Sequence, residues 1–179
     1  MRILVLFAHP ALEKSRVHKR LLAALDGISG VTLHDLYESY PDGDIDIGHE
    51  QALLEANDLV IQQHPFYWYS TPPLLKQWHD LVLEHGWAYG AEGRKLEGKY
   101  LMSAISTGGG SDAYLRGGYN YFTIRELLAP IEQTARLCRM TYLDPYVTYG
   151  THRMDDVAID AEAERYRGLV QGLAENGPG

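Results

Sequence analysis

Cysteine occurs once in the 179 residues, at Cys138, so no intrachain disulfide can form and no cysteine-based metal site can be assembled. That usage fits a reducing compartment. Long apolar runs are missing as well: the N-terminal stretch "ILVLFA" is far too short to span a bilayer and only Arg2 lies between it and Met1. Neither a signal peptide nor a membrane anchor is therefore expected, and a cytoplasmic protein is. Positive charge is in the minority, with 16 Lys and Arg against 24 Asp and Glu. The formal net charge of -8 repels polyanions, which makes nucleic acid an unexpected partner. Phenylalanine is scarce, three residues against 13 tyrosines and three tryptophans. Most aromatic surface thus carries a polar tip, a property that suits binding clefts and subunit contacts as well as cores.

Several motifs are absent too. The loop after the first apolar run has no G-x-G-x-x-G, which removes the main support for a Rossmann dehydrogenase. No G-x-S-x-G is present for a hydrolase nucleophile, and no glycine-lysine signature for a P-loop. His79 and His85 are not four residues apart, and His9, His18 and His64 come with no carboxylate-rich ligand set, so no metal centre is expected. The acidic run "DGDIDIGHE" lacks the further ligands of an EF-hand and reads as a polar loop entering a helix.

What is present is an alternation. "RILVLFA" has the continuous apolar pattern of a strand buried on both faces, and "VTLHDLY" (31–37), "DLVIQQ" (58–63) and "KYLMSAIS" (99–106) share it in whole or part. A fifth candidate, "RMTYLDPYVTY", is interrupted by Pro145. Between them, apolar residues recur at helical spacing: Val17, Leu21 and Leu25; Leu74, Leu75, Trp78, Leu81 and Val82; Ile124, Leu128, Ile131 and Ala135 within 122–137; and Tyr166, Leu169, Val170 and Leu173. Pro73 stands where a helix would begin. Such alternation predicts an α/β fold, a doubly wound five-stranded parallel sheet with helices on both faces, built as one domain over 1–179. Ligands of such sheets bind beyond the carboxyl ends of the strands. That directs attention to three loops.

The first, "AHPALEKS", places His9 ahead of Ser15, a good N-cap for the helix that follows; its first N–H groups, with His9, Arg16 and His18, make an anion site. A capping serine and a turn histidine without a ligand are the plainer alternative. The second, "HPFYWYSTPP", sets Phe66, Tyr67, Trp68 and Tyr69 side by side, which no turn requires, and offers a wall for a flat ring. The third, "STGGG", holds three successive glycines whose backbone can approach a ligand closely, with Tyr114 within reach of the same mouth. Tyr119 and Tyr121 belong either there or in the core. A phosphate pocket, an aromatic wall and a glycine-rich edge together match flavin mononucleotide. The shortness of the chain favours FMN over FAD.

The same stretches carry a resemblance. With "AHP" and Ser15, "YESYPDGDIDI", "HPFYWYSTPPLLKQW", "HGWAYG" and "STGGG", the chain resembles, nearly end to end, the flavodoxin-like NAD(P)H:quinone oxidoreductases, and among them the ancillary proteins of glutathione-regulated potassium-efflux systems. The resemblance implies a homodimer with FMN near the subunit interface. It assigns the phosphate to His9, Ser15, Arg16, Val17 and His18, and the ring system to Pro65, Phe66, Tyr67, Trp68, Tyr69, Ser106, Thr107, Gly108 and Gly109. Trp87 and Tyr89 match residues that reach a neighbouring subunit's site, where with Tyr114 they would meet the substrate. Tyr114 matches a tyrosine that works with a histidine at the reduced flavin; that histidine's place is held here by Tyr119 or Asn120. The family often has asparagine where this chain has His18.

The expected activity is ping-pong hydride transfer from NADPH or NADH to FMN and then to a quinone, with Gly108, Gly109 and Tyr114 as the catalytic set. Two alternatives remain: a flavin-binding ancillary subunit docked peripherally on the cytoplasmic side of a membrane potassium-efflux antiporter, and a one-electron carrier, against which the Tyr and Trp set suggests a substrate cleft.

Overall fold

Five successive apolar side chains, all fully buried, make Ile3–Phe7 the strand β1 in the computed structural model, which describes residues 1–179. A strand that is apolar on both faces needs cover on both, and the crossovers supply it. α1 (Arg16–Ala23) leads to β2 (Val31–Asp35), which runs straight into the single turn α2 (Leu36–Ser39). α3 (Ile47–Ala56) leads to β3 (Leu59–Pro65), and α4 (Pro73–Val82) to β4 (Tyr100–Ser106). α5 (Ile124–Leu127) and α6 (Ala129–Leu137) precede β5 (Thr141–Tyr142) and β6 (Tyr146–Thr148), and α7 (Asp156–Asn176) follows.

Every strand pairing is parallel, in the order β2-β1-β3-β4-β5, with β6 also on β4. This is the doubly wound sheet that the alternation predicts. Side chains alternate across it. Leu4, Leu6, Val60 and Leu101 pack with Leu54, Leu75, Trp78 and Ala135 of α3, α4 and α6. Ile3, Val5, Ile61 and Met102 pack on the other face with Val17, Leu21, Ile159, Tyr166 and Val170 of α1 and α7. The register sets Phe7 beside Gln63 and Pro65 beside Ser106, which brings the carboxyl ends of β1, β3 and β4 to one edge.

Four expectations need correction. The helix expected over 122–137 is two helices: a capping box at Thr123 starts α5, and Pro130, which cannot donate an N–H inside a helix, falls in the first turn of α6. The fifth strand is likewise split by Pro145 into β5 and β6, both carried by β4. Leu81 and Leu169, read as core-facing, are exposed, because each lies at the edge of a narrow buried stripe. Finally, β3 continues through His64 and Pro65, both buried, so the second loop starts at Phe66, and β2 stops at Asp35, whose carboxylate caps α2. No helix is long and apolar enough to cross a membrane.

Candidate functional site

The chain leaves β1 toward β2 on one side and resumes in β3 on the other, a topological switch that opens a crevice at the carboxyl edge. A cleft of ≈ 560 Å³ occupies it. Ten of the residues singled out from sequence line it: His9, Ser15, Arg16, Val17, His18, Pro65, Phe66, Tyr67, Ser106 and Gly108. Ser15 Oγ accepts the His18 N–H at 3.1 Å and caps α1. The N–H groups of Arg16 and Val17 have no acceptor inside the helix and lie at its positive end. The Arg16 guanidinium is held by Met154 O at 3.1 Å and by Asp156 at 2.7 Å.

Hydrogen bonding settles the state of both cleft histidines. His9 Nδ1 accepts the Ala11 N–H at 3.1 Å, and burial lowers the ring's pKa, so neutral His9 carries its proton on Nε2. His18 is buried, and burial, followed by the nearby His9 and His64, pushes its pKa down to about 3. It is a neutral ring and adds no positive charge to an anion site. Its Nε2 lies 2.8 Å from Ser106 Oγ and its Nδ1 3.4 Å from Gln63 Nε2. Gln63 Oε1 accepts from the Tyr166 hydroxyl at 2.9 Å. With Gln63 so oriented, its amide donates to His18 Nδ1, His18 Nε2–H donates to Ser106 Oγ, and the Ser106 hydroxyl proton is left for the cleft.

The aromatic run divides. Phe66 and Tyr67 face the cleft, while Trp68 is 93% exposed and Tyr69 donates its hydroxyl to Asn120 Oδ1 at 3.1 Å. The division comes from a tight turn closed by Ser70 N–H to Tyr67 O at 2.9 Å, in which Trp68 and Tyr69 have φ of 49° and 62°. Two left-handed residues in succession are the pattern for which Asn-Gly is usually selected. Here two large aromatics hold it.

The glycine ribbon sits close to its neighbours. A Cβ on Gly108 would lie 2.7 Å from the His152 ring, and one on Gly109 3.2 Å from the Tyr114 ring. Thr107 is buried, its hydroxyl donating to Gly109 O at 2.9 Å. Tyr114 is buried beneath the ribbon, its ring 6.0 Å from Tyr149, and burial raises its pKa. It does not line the cleft. Trp87 and Tyr89 lie elsewhere: Trp87 Nε1 donates to Glu55 at 3.2 Å, and Tyr89 borders a separate groove with Ser70, Thr71 and Lys76. Tyr119 and Tyr121 are both exposed and belong to no core.

Sequence reading passed over Lys14, Thr151 and His152, which also line the cleft, and Gln63 and Tyr166, which stand behind it. For His152 a signal existed. The loop after the last strand ends at the same sheet edge by the same topological rule, and Gly150, with φ of 67°, marks its turn.

A family model described as "Flavodoxin-like fold" matches residues 1–170. The chain is 46% identical over 165 residues to the glutathione-regulated potassium-efflux system ancillary protein KefF of Klebsiella aerogenes, covering 92% of each. The solved structure of general stress protein 14 from Treponema denticola, in complex with FMN, has a TM-score of 0.89 and 35% identity, covering 99% of this chain and 100% of that one. An NADPH-quinone reductase from P. pentosaceus gives 0.86 and 36%, with coverage of 98% and 99%. A chain described as a thermophilic tryptophan halogenase from Streptomycin violaceusniger gives 0.91 and 45%, with coverage of 93% and 97%. Since the named activities of these similar proteins differ, the reaction has to be argued from the cleft.

Proposed function

The chain belongs to the flavodoxin-like fold family, and on that premise we propose that it is an FMN-dependent NAD(P)H:quinone oxidoreductase. The observation that carries the reading is the convergence of a capped helix N-terminus, two aromatic rings and a glycine ribbon on one cleft. The donor set fits the cofactor. The N–H groups of Arg16 and Val17, His9 Nε2–H and Lys14 suit a phosphate, which helix N-termini bind through both N–H groups and dipole. Phe66 and Tyr67 suit one side of a planar ring, and Gly108 lets backbone come close to its polar edge. The FMN-bound Treponema denticola protein supports the choice of flavin.

FMN held by these residues would supply the two-electron chemistry that links NADPH or NADH to a quinone by a ping-pong sequence. The protein positions and stabilises. Phe66 and Tyr67 exclude water and align the stacked rings. The N–H groups of Gly108 and Gly109, neither taken by a backbone acceptor, donate where negative charge collects, and the Ser106 hydroxyl adds a donor whose direction the neutral His18 sets. Tyr114, protonated and packed against Gly109, holds the ribbon in place rather than meeting substrate. Trp87 and Tyr89 reach a cleft only across a homodimer, which the proposal includes; the exposed Trp68, Tyr119, Tyr121 and Phe122 offer apolar surface for a subunit contact.

Anaerobic visible absorbance of the FMN-reconstituted protein tests the reading. Addition of NADPH is expected to bleach the flavin band, and a small benzoquinone to restore it. A band that stays oxidised with both NADPH and NADH would leave a flavin-binding regulator, and failure to bind FMN would remove the cleft assignment. The relation to KefF supports a second, compatible reading as an ancillary subunit of a potassium-efflux antiporter. Variants that have lost hydride transfer and still activate such a transporter would separate regulation from turnover.

A further inference from the structure

At the β2 edge of the sheet, outside the cleft, the end of β2 and the first turn of α3 bring together His34, His49 and Glu50, with one ligand atom of each within 4.8 Å of the others. We propose that these three side chains form a binding site for a divalent transition-metal ion of the zinc class. The site departs from the sequence expectation of no metal centre, because 14 residues of chain separate the histidines and no local spacing announces them.

Glu50 is the starting point. Its carboxylate is completely buried, and a buried charge is tolerated only with a counter-charge and hydrogen bonds. No lysine or arginine pairs with it; the only basic partner in contact is His34, whose Nε2 lies 2.6 Å from Oε1. A proton on His34 would balance the charge, but it gives no role to His49, whose ring lies 5.7 Å from that of His34. A dication held by His34, Glu50 and His49 uses all three. Two imidazoles and one carboxylate are a known zinc donor set, and the exposed position of His49 gives the ion a route from solvent and a water the fourth place.

The surroundings are those of a ligating carboxylate. Tyr40 donates its hydroxyl to Oε1 at 2.6 Å and Trp78 donates Nε1–H to Oε2 at 2.8 Å, so the end of α2 and α4 hold the α3 carboxylate in one orientation. Binding the ion would replace the hydrogen between His34 and Glu50. The N···O distance then opens from 2.6 Å to roughly 3.3 Å, as metal–ligand bonds of about 2.0–2.1 Å at a tetrahedral angle require. That displacement is within the reach of one side-chain adjustment at His34.

The test uses the FMN-loaded protein, freed of metal with a chelator and titrated with Zn²⁺ against a chromogenic competitor. One Zn²⁺ per chain at micromolar affinity or tighter is expected, and Co²⁺ should give the visible absorption of a tetrahedral site. His49→Ala should weaken Zn²⁺ binding by about 30-fold and abolish the Co²⁺ band, while the melting temperature of the metal-free protein stays unchanged, since His49 lies outside the core. No binding to the native chain would overturn the proposal. So would equal binding by native protein and His49→Ala, which would place the ion elsewhere.

Discussion

Trp68 and Tyr69 hold a backbone conformation that large side chains seldom adopt, and each such residue costs about 1–3 kcal/mol unless its surroundings enforce it. Trp68 is 93% exposed, so it recovers little of that through burial. Replacement of Trp68 by glycine removes the strain at the expense of more backbone freedom in the unfolded chain. Trp68→Gly is therefore expected to stabilise the protein by about 1 kcal/mol in urea unfolding, while kcat/KM for quinone falls, because the exposed ring belongs to the apolar surface proposed for the subunit contact. A destabilised variant, or one with full activity, would mean that the turn holds no strain for function. At this scale much of the lining of the cleft was legible. His9, Ser15 and Gly108 could be placed because capping, helix dipole and glycine freedom act over a few neighbours. The separation of Phe66 and Tyr67 from Trp68 and Tyr69 could not, since it depends on two positive φ angles that composition does not report.

Among the elements, α7 does more than cover one face of the sheet. Its fully buried Tyr166 starts the chain of hydrogen bonds that runs through Gln63 of β3 and His18 of α1 to Ser106 at the end of β4. Four elements thus set one hydroxyl in the cleft. Tyr166→Phe leaves Gln63 Oε1 buried without a donor, at a cost of about 1–3 kcal/mol, and frees the amide to turn away from His18. A lower melting temperature and a several-fold weaker FMN affinity are expected together, whereas Gln171→Ala, on the exposed side of α7, should move neither. If Tyr166→Phe lowers only the melting temperature, the chain has no part in binding. Periodicity located the strands and helices but not this connection. β3 was expected to end at Gln63, two residues short of Pro65, and nothing local shows that Gln62 and Gln63 are buried within it. Their burial rests on partners distant in sequence, His79 for Gln62 and Tyr166 for Gln63.

Across the whole molecule, three histidines with strongly lowered pKa values couple the fold to pH, and His9, also lowered by burial, acts in the same direction. Burial is the leading cause for each, pushing His18 down to about 3 and both His64 and His79 down to about 4, against an ordinary value of 6.5. An unfolded chain takes up these protons as pH falls through about 6.5, while the folded chain refuses them until near 4. The unfolded state therefore binds more protons than the folded state across that interval, and stability declines as pH falls from 6.5. Above 6.5 both states are neutral and the dependence ends. Buried carboxylates do not confuse the upper part of this window, since Glu50 has its pKa lowered by hydrogen bonds from His34, Tyr40 and Trp78 that outweigh its burial, and it stays ionised there. Melting temperatures measured between pH 7.5 and 5.0 should thus be flat above about pH 6.5 and fall below it. His64→Gln keeps a polar side chain at the buried position and removes one titrating group, so its slope should be shallower by about one proton. An unchanged slope would show that His64 is protonated within the folded sheet, which would require a buried counter-charge that none of its neighbours supplies.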